Sequence, residues 1–536
     1  MKPLTLGRFT ENYDGRRFDL LVIGGGITGA ALAYEAAGRG LSVALVEKND
    51  FGGATSAATG KLIHGGLRYL QQFEIALVRE SLRERRILSN IAPNLVYPYP
   101  IILPEPGLLA RAGLYFYDIL SFDRKWTWDR SKRLPAHRTL SREEAGAAVP
   151  GGTGSAILYY DCLCICPERL TLSFLKSAAA HGAHIANYAR TENLVIEGNR
   201  VTGAAVRDLI TGRSVTVTAA VTVNATGPWT HALLNRTPET STPFPKKRSE
   251  GIYLITRKLT DRMVLYVGPH GHYSFAPWRG HSMIGPTEKS YFGPVDDWKV
   301  SRESVDEFLD VINRTAVLPK KLTRKDVLFA YGGLRPLVET KAEDTYTASR
   351  RSDLHDHAED GIEGLITAAG GKYTTSREFA EQIFRRVARK VGGKSGPGVS
   401  KKRFLHGCEI PDIEVFVADA VIKHGDFGAN TVEFLARHYG TEYEAVLELA
   451  RSSRELARPV NDDGEIPAQA LFALRYEAAR SLADIFFRRT GMGTLGNPGK
   501  KTIAAIAKIA ARELKWSLKT TGKEIESLKR LFSVYE

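Results

Sequence analysis

A chain of 536 residues exceeds what one hydrophobic core organises, so two or three domains are expected. Its 43% hydrophobic and 25% charged residues exclude a disordered chain, four cysteines exclude a disulfide framework, and no apolar run reaches the ~18 residues that span a bilayer. The balance of 74 basic against 60 acidic residues, net +14, favours an anionic partner. No nucleic-acid motif appears, which leaves phosphorylated ligands and anionic lipid.

The N-terminus, MKPLTLGRFTENYDGRR, lacks the apolar stretch of a secretory signal. A cytoplasmic protein is expected, with attachment to the cytoplasmic membrane face left open. The stretch Phe18 to Lys48 then reads FDLLVIGGGITGAALAYEAAGRGLSVALVEK. Leu20 to Ile23 is an apolar run of the buried parallel-strand type. Gly24, Gly26 and Gly29 follow it in G-x-G-x-x-G spacing, ahead of an Ala-rich helix. Gly24 permits the tight turn, Gly26 lets backbone approach a pyrophosphate, and Gly29 lets helix and strand pack closely. The helix N-terminus supplies N–H donors and the positive end of its dipole. A second apolar run, Val43 to Val46, ends in Glu47, placed to accept hydrogen bonds from ribose hydroxyls. An acid at that position disfavours a 2′-phosphorylated cofactor. A dinucleotide site is therefore expected, and the fingerprint alone leaves NAD and FAD open.

Phe51 to Leu70 is rich in Gly, Ser and Thr and reads as a loop entering a helix near Leu67. Residues 71–92 read as a helix with a charged face, and Pro93 to Pro106 as a proline-rich connection. Gly107 to Phe122 is a mostly apolar helix, and Asp123 to Arg133 interleaves two tryptophans with five basic residues. That combination suits a lipid surface. Residues 155–226 give short strands around a helix at 168–182. Cys162, Cys164 and Cys166 alternate, which places them on one strand face. Buried thiols are expected there, and no metal site is predicted. Residues 245–345 read as an antiparallel sheet with a helix at 305–316, and His270 and His272 as structural or exposed turn residues. Ile362 to Arg389 repeats the order strand, Gly-Gly turn, helix. Beyond the Gly/Ser/Lys linker at Lys390 to Arg403 the sequence is almost entirely helical.

The motifs ATSAATGKLIHGGLRYL, YGGLRPL and AAGGKYTT, together with NATGPW and ADIFFRRTGMG, resemble the FAD-dependent glycerol-3-phosphate dehydrogenases over nearly the whole chain. The resemblance implies an α/β fold in three parts. These are a doubly wound FAD-binding domain (1–240 with 346–400), an antiparallel-sheet substrate domain of the D-amino-acid-oxidase type (241–345), and an all-α C-terminal domain (405–536). It also implies FAD as cofactor and oxidation of sn-glycerol 3-phosphate to dihydroxyacetone phosphate by hydride transfer to the flavin. A membrane quinone is the implied electron acceptor, reached by peripheral membrane contact. A homodimer is left open.

Matched residue by residue, LRYL, LRPL and GGK place Arg68, Tyr69, Arg335 and Lys372 around the substrate. Arg68, Tyr69 and Lys372 are assigned to phosphate and hydroxyl anchoring. Arg335 is assigned to the developing alkoxide. Arginine is a poor proton acceptor, which leaves His64 as the candidate base. Where the family carries a His in a Gly-Ser-His-Ile-type strand, this chain has Gly251 to Leu254, so Ile252 or Tyr253 takes that place. Tyr253 is named as a substrate contact. Pro286-Thr287-Glu288 likewise replaces a Thr-Thr-Asp run. Thr55, Ser56, Gly60 and Lys61 are assigned to the flavin phosphates or ring. Thr226 and Gly227, with Gly370 and Gly371, are assigned to close backbone approach. The departures motivate two alternatives: a longer polyol phosphate such as an erythritol phosphate, and an oxygen-using oxidase.

Overall fold

A computed structural model describes residues 3–237, 240, 242–268, 271–338, 352–393 and 396–533. His270 and the boundary expected near 345 lie outside the described residues. The strand Arg17–Ile23 is fully buried from Leu20 onward, which is why its apolar run is continuous rather than alternating. It pairs in parallel with Val43–Val46 on one side and Ser214–Asn224 on the other. The full order across this sheet is Ser352–Asp356, Leu365–Gly370, Ser214–Asn224, Arg17–Ile23, Val43–Val46, His184–Ala186. Ala189–Glu197 and Arg200–Asp208 extend it as an antiparallel hairpin. Five of these strands run the same way, and the ends of four of them bring Gly24, Glu47, Thr226 and Gly371 out together on one edge. In open α/β sheets that edge is where ligands bind.

The helix Ile27–Gly38 leaves the first strand through the glycine turn, and its alanines are buried all round. Small side chains let it pack against Pro167–Ala180 and Ser376–Lys390. Gly29 has no room for a Cβ, which would collide with the carbonyl of Gly24. Its role is therefore contact between helix and strand.

Among the described residues the second sheet has ten strands. Arg248–Arg257, Met263–Gly268, Gly271–Trp278, His281–Gly285 and Val327–Pro336 supply the expected antiparallel part. The helix Arg302–Thr315 covers it with Val305, Phe308, Leu309 and Ile312. The sheet is not confined to 241–345, however. Leu62–Ile63, Val96–Pro104, Arg138–Thr139 and Ala156–Cys164 all join it. The stretch expected to be a proline-rich connection is thus a strand. Pro98 and Pro100 pair with Ala156–Cys164 but precede Ile101 and Ile102, the two residues that meet Met263–Val264. On that second side their missing N–H groups remove no ladder bond. Cys162 and Cys164 share a buried face of Ala156–Cys164, and Cys166 lies past its end as the cap of the following helix. All four cysteines are free and buried. Burial pushes the Cys162 and Cys166 thiols up to about 12, which makes them poor nucleophiles.

The C-terminal segment is helical, as expected, with Ile413–Lys423, Ala429–Tyr439, Tyr443–Arg451, Ala468–Tyr476, Lys500–Glu513 and Leu518–Phe532 as its main helices. It does not stand apart. Val432, Leu435, Leu471 and Ile506 share one core with Ile101, Tyr159, Ile255 and Phe329 of the second sheet. It also reaches the nucleotide half through buried charge. Arg489 Nη2 lies 2.7 Å from Asp50 Oδ1, and Arg488 Nε lies 2.6 Å from Asp50 Oδ2. Asp50 sits in the loop directly after Glu47, so these arginines hold one wall of the ligand edge. Removing Asp50 takes from buried Arg489 the carboxylate that compensates it, at a cost of about 3–5 kcal/mol. Asp50→Ala should therefore lower the thermal unfolding midpoint by roughly 5 °C or more. An unchanged midpoint in differential scanning calorimetry would show that the pair does not hold the two halves together.

Candidate active site

A cavity of about 710 Å³ opens along the edge where the parallel strands end. The glycine turn forms one wall. Gly24 adopts φ +115°, and a Cβ there would stand 2.5 Å from the carbonyl oxygen of Ala225. Gly26 is the N-cap of Ile27–Gly38 with no side-chain cap, and the first turn of that helix carries no acidic residue. The positive end of the dipole thus faces the cavity. The Ile27 N–H donates to Ser56 Oγ at 3.0 Å, leaving little space between backbone and hydroxyl. Glu47 accepts from the Gly25 N–H at 2.7 Å and the Asn49 N–H at 2.8 Å, and lines the same cavity. Burial pushes its carboxyl up, opposed by those two N–H donors. A helix terminus open to an anion and a carboxylate placed for ribose hydroxyls fit a dinucleotide.

Thr55, Ser56, Gly60, Thr226, Gly227, Gly370 and Gly371 also line the cavity, as assigned from the motifs. Thr55 Oγ1 donates to the Leu334 carbonyl at 2.6 Å and fastens its loop to the second sheet. Lys61 requires a correction. Its backbone takes the left-handed φ of +56°, and its side chain leaves the cavity. Nζ lies instead 3.9 Å from Glu168 and 4.8 Å from the centre of the Trp278 ring. A buried amine needs a counter-charge, and Glu168 provides it. His272, expected to be structural or exposed, lines the cavity.

The proposed substrate residues converge. Arg68 opens a short helix, Arg68–Gln71, and Arg335 sits near the end of the strand Val327–Pro336. Lys372 follows the Gly370-Gly371 turn, ahead of the N-cap at Thr375 rather than inside the helix. The Tyr69 ring lies between two cations, with Lys372 Nζ 3.6 Å and Arg68 Cζ 5.1 Å from its centre. Lys372 also donates to Ser81 Oγ at 3.2 Å. Room for Arg335 comes from Gly251 on the paired strand, where a Cβ would collide with the guanidinium. Tyr253, not Ile252, faces the cavity. It stacks on Tyr331 at 5.1 Å, while Ile252 is buried in the core beneath the helix Arg302–Thr315.

Two acids in this site escaped the motif reading. Glu288 stands between the arginines, 3.5 Å from Arg68 and 3.9 Å from Arg335, and accepts from Ser249 Oγ at 3.1 Å. Its only sequence signal was the departure of the 286–288 run from the family pattern. Asp161 lies beneath the other side, where it receives Tyr117 Oη at 2.8 Å, the Gly65 N–H at 3.2 Å and Arg85 Nη1 at 2.5 Å. Its signal was a charged residue inside an otherwise apolar strand. His64 lines the cavity next to Gly65. Burial lowers its pKa to about 4; Asp161 opposes that shift, and Lys372, Arg68 and Arg85 add to it. Its imidazole is therefore neutral at physiological pH and free to accept a proton. In spectra of ring-labelled histidine, one resonance should hold its neutral shift from pH 8 down to pH 5 and disappear in His64→Gln. A His64 signal that titrates near ~6.5 would contradict this environment.

The comparisons agree with the geometry. The family of FAD-dependent oxidoreductases matches residues 19–377, and the C-terminal domain of alpha-glycerophosphate oxidase matches residues 398–521. The chain is 34% identical over 537 residues to the glycerol-3-phosphate dehydrogenase of Synechocystis sp., covering 95% of each. It is 31% identical over 495 residues to the D-erythritol 1-phosphate dehydrogenase of Brucella abortus, covering 88% of this chain and 94% of that one. The solved glycerol-3-phosphate dehydrogenase from Bacillus halodurans, complexed with FAD, superposes with a TM-score of 0.76 at 25% identity, covering 97% of this chain and 95% of that one.

Proposed function

We infer the reaction from one premise: the chain belongs to the FAD-dependent oxidoreductase family. Its cofactor is FAD, and the protein is an FAD-dependent dehydrogenase of the glycerol-3-phosphate type that oxidises sn-glycerol 3-phosphate to dihydroxyacetone phosphate. The observation that carries this reading is the grouping of Arg68, Lys372 and Arg335 on one cavity with the dinucleotide cradle. Three cations from three separate elements suit a phosphorylated alcohol held beside a flavin.

When bound, the flavin supplies the two-electron acceptor for the carbinol hydride. The chain supplies the rest. Arg68 and Lys372 hold the phosphate, and Tyr69 fixes the spacing between them. The Arg335 guanidinium favours negative charge as it develops on the C2 oxygen. Neutral His64 accepts the hydroxyl proton, and a phosphate dianion at Lys372 and Arg68 offsets two of the charges that depress its pKa. Tyr253 bounds the site from the second sheet. Arg335→Ala should retain flavin and lower turnover by about 10²–10³-fold, measured as anaerobic bleaching of the flavin by sn-glycerol 3-phosphate. Near-normal bleaching would remove Arg335 from this role.

Glu288 favours a second reading, in which the substrate is a longer polyol phosphate. A carboxylate between Arg68 and Arg335 repels phosphate but accepts hydrogen bonds from added hydroxyls. Erythritol phosphate in the same anaerobic experiment separates the two. Faster bleaching than with sn-glycerol 3-phosphate makes it the substrate.

The proposed electron acceptor is a membrane quinone, and the exposed face of Leu108–Leu120 supports it. That helix buries only Leu114 and Tyr117. Leu108 is 87% exposed and Trp126 63%, and Tyr115, Ile119 and Phe122 are exposed with them. Arg124, Lys125, Arg130 and Arg133 adjoin this apolar patch, a composition suited to anionic lipid. Among the described residues no helix is long and apolar enough to cross a membrane. The protein should float with anionic liposomes at low salt, and Leu108→Glu with Trp126→Glu should abolish flotation. Flotation unchanged by both substitutions would place the contact elsewhere.

A further inference from the structure

We propose that His355, His357 and Asp360 form a binding site for a zinc-class divalent ion at the edge of the parallel sheet, through His355 Nε2, His357 Nδ1 and one carboxylate oxygen of Asp360. These atoms lie within 4.8 Å of one another. The local backbone brings them together. Ser352–Asp356 is the edge strand, so His355 and His357, two residues apart in extended chain, start on one face. A single tight turn, His357–Asp360, then returns Asp360 over His357, because residues three apart superpose in a 3₁₀ turn. Gly361, at φ +85°, ends that turn.

Two details point to a cation rather than to a simple ion pair. First, His357 is fully buried, and among the described residues its Nδ1 has no hydrogen-bond partner. That atom faces Asp360 Oδ2 at 3.7 Å, too far for a hydrogen bond. A buried ring nitrogen left unsatisfied is destabilising, and a metal bond removes that cost. Second, the other ring nitrogen is already committed. His357 Nε2 meets the buried Thr367 Oγ1 at 2.8 Å, and with Nε2 as the donor this outer hydrogen bond turns the Nδ1 lone pair toward the ion. His355 Nε2 lies 2.5 Å from Asp360 Oδ2, and the two imidazole rings are 4.7 Å apart at 77°. Asp356 is held by Lys390 Nζ at 2.9 Å, so its charge is spoken for and Asp360 is the carboxylate left to the histidines.

Tetrahedral zinc with bonds of about 2.0–2.1 Å needs ligand atoms ~3.3 Å apart. The widest pair closes by up to ~1.5 Å to reach that spacing, through movement of His355 and of exposed Asp360. Two imidazoles and one carboxylate select Zn²⁺ or its borderline neighbours over Mg²⁺ or Ca²⁺, which prefer oxygen alone. Water takes the remaining position on the exposed side. The ion would not touch substrate. It would clamp the turn to Leu365–Gly370, where His355 faces Thr367 and Ser352 faces Gly370, ~10 Å before the flavin-facing Gly370-Gly371 turn.

The test uses the full-length yellow protein, treated with EDTA, dialysed and then given ZnSO₄. Gel filtration followed by metal analysis should recover near one zinc per chain. His355→Ala and Asp360→Asn should each lower recovery at least tenfold with flavin content unchanged. Zinc should raise the unfolding midpoint of the parent protein and of neither variant. X-ray absorption at the zinc edge should show imidazole scattering from two histidines, a readout that needs no variant. Absence of retained zinc, equal retention by the variants, or a zinc spectrum without imidazole would each overturn the site.

Discussion

The N-terminus of the helix Ile27–Gly38 is the constraint on which this molecule is built. Its first turn carries no acidic residue and its N-cap no side chain, so beyond the bond from the Ile27 N–H to Ser56 its free donors call for an anion or further acceptors. The three glycines bring it to the cavity, and the parallel strands aim Glu47, Thr226 and Gly371 at the same edge. The residues of the proposed dinucleotide cradle thus arrive mostly on strand ends and a helix terminus, with the loop through Thr55 and Ser56 laid beside them. That loop is in turn fastened by the bond from Thr55 to Leu334 on the second sheet.

The electrostatics of the far wall follow the same economy. Arg68, Arg335 and Lys372 would repel one another in a low-dielectric cleft if left alone. Tyr69 offers a ring face to two of them, and Glu288 stands between the arginines. A neutral imidazole persists nearby because burial and those same cations disfavour its charged form. In the proposed reaction, phosphate bound at Lys372 and Arg68 would couple directly to the proton affinity of His64, because those two cations are among the charges that lower it.

The sequence made the rigid parts legible and the cross-chain partnerships illegible. The glycine spacing and the acid at 47 act locally and lie on the cavity edge, and Arg68, Arg335 and Lys372, named from the resemblance, line the same cavity. The substrate sheet was harder, because Val96–Pro104 hides as a strand behind its prolines and is tolerated only by its register. Asp161 and Glu288 were missed for a related reason. Each earns its place from residues far away in sequence, Asp161 from Arg85 and Tyr117, Glu288 from Arg68 and Arg335. Lys61 misled because it sits in a strong motif while its left-handed backbone turns the amine toward Glu168. The choice between Ile252 and Tyr253 needed the sheet, since two adjacent strand residues always face opposite sides.

The pairing of Asp50 with Arg489 joins residues 439 positions apart in the chain. During synthesis the acidic loop leaves the ribosome long before its guanidinium partners exist, and until then its carboxylate keeps its water. The wall that follows Glu47 can close only after almost all of the polypeptide has been made. Loading of the prosthetic group would then fall late in biogenesis, and a chain truncated before Asp484–Arg489 would emerge with an unfinished nucleotide pocket.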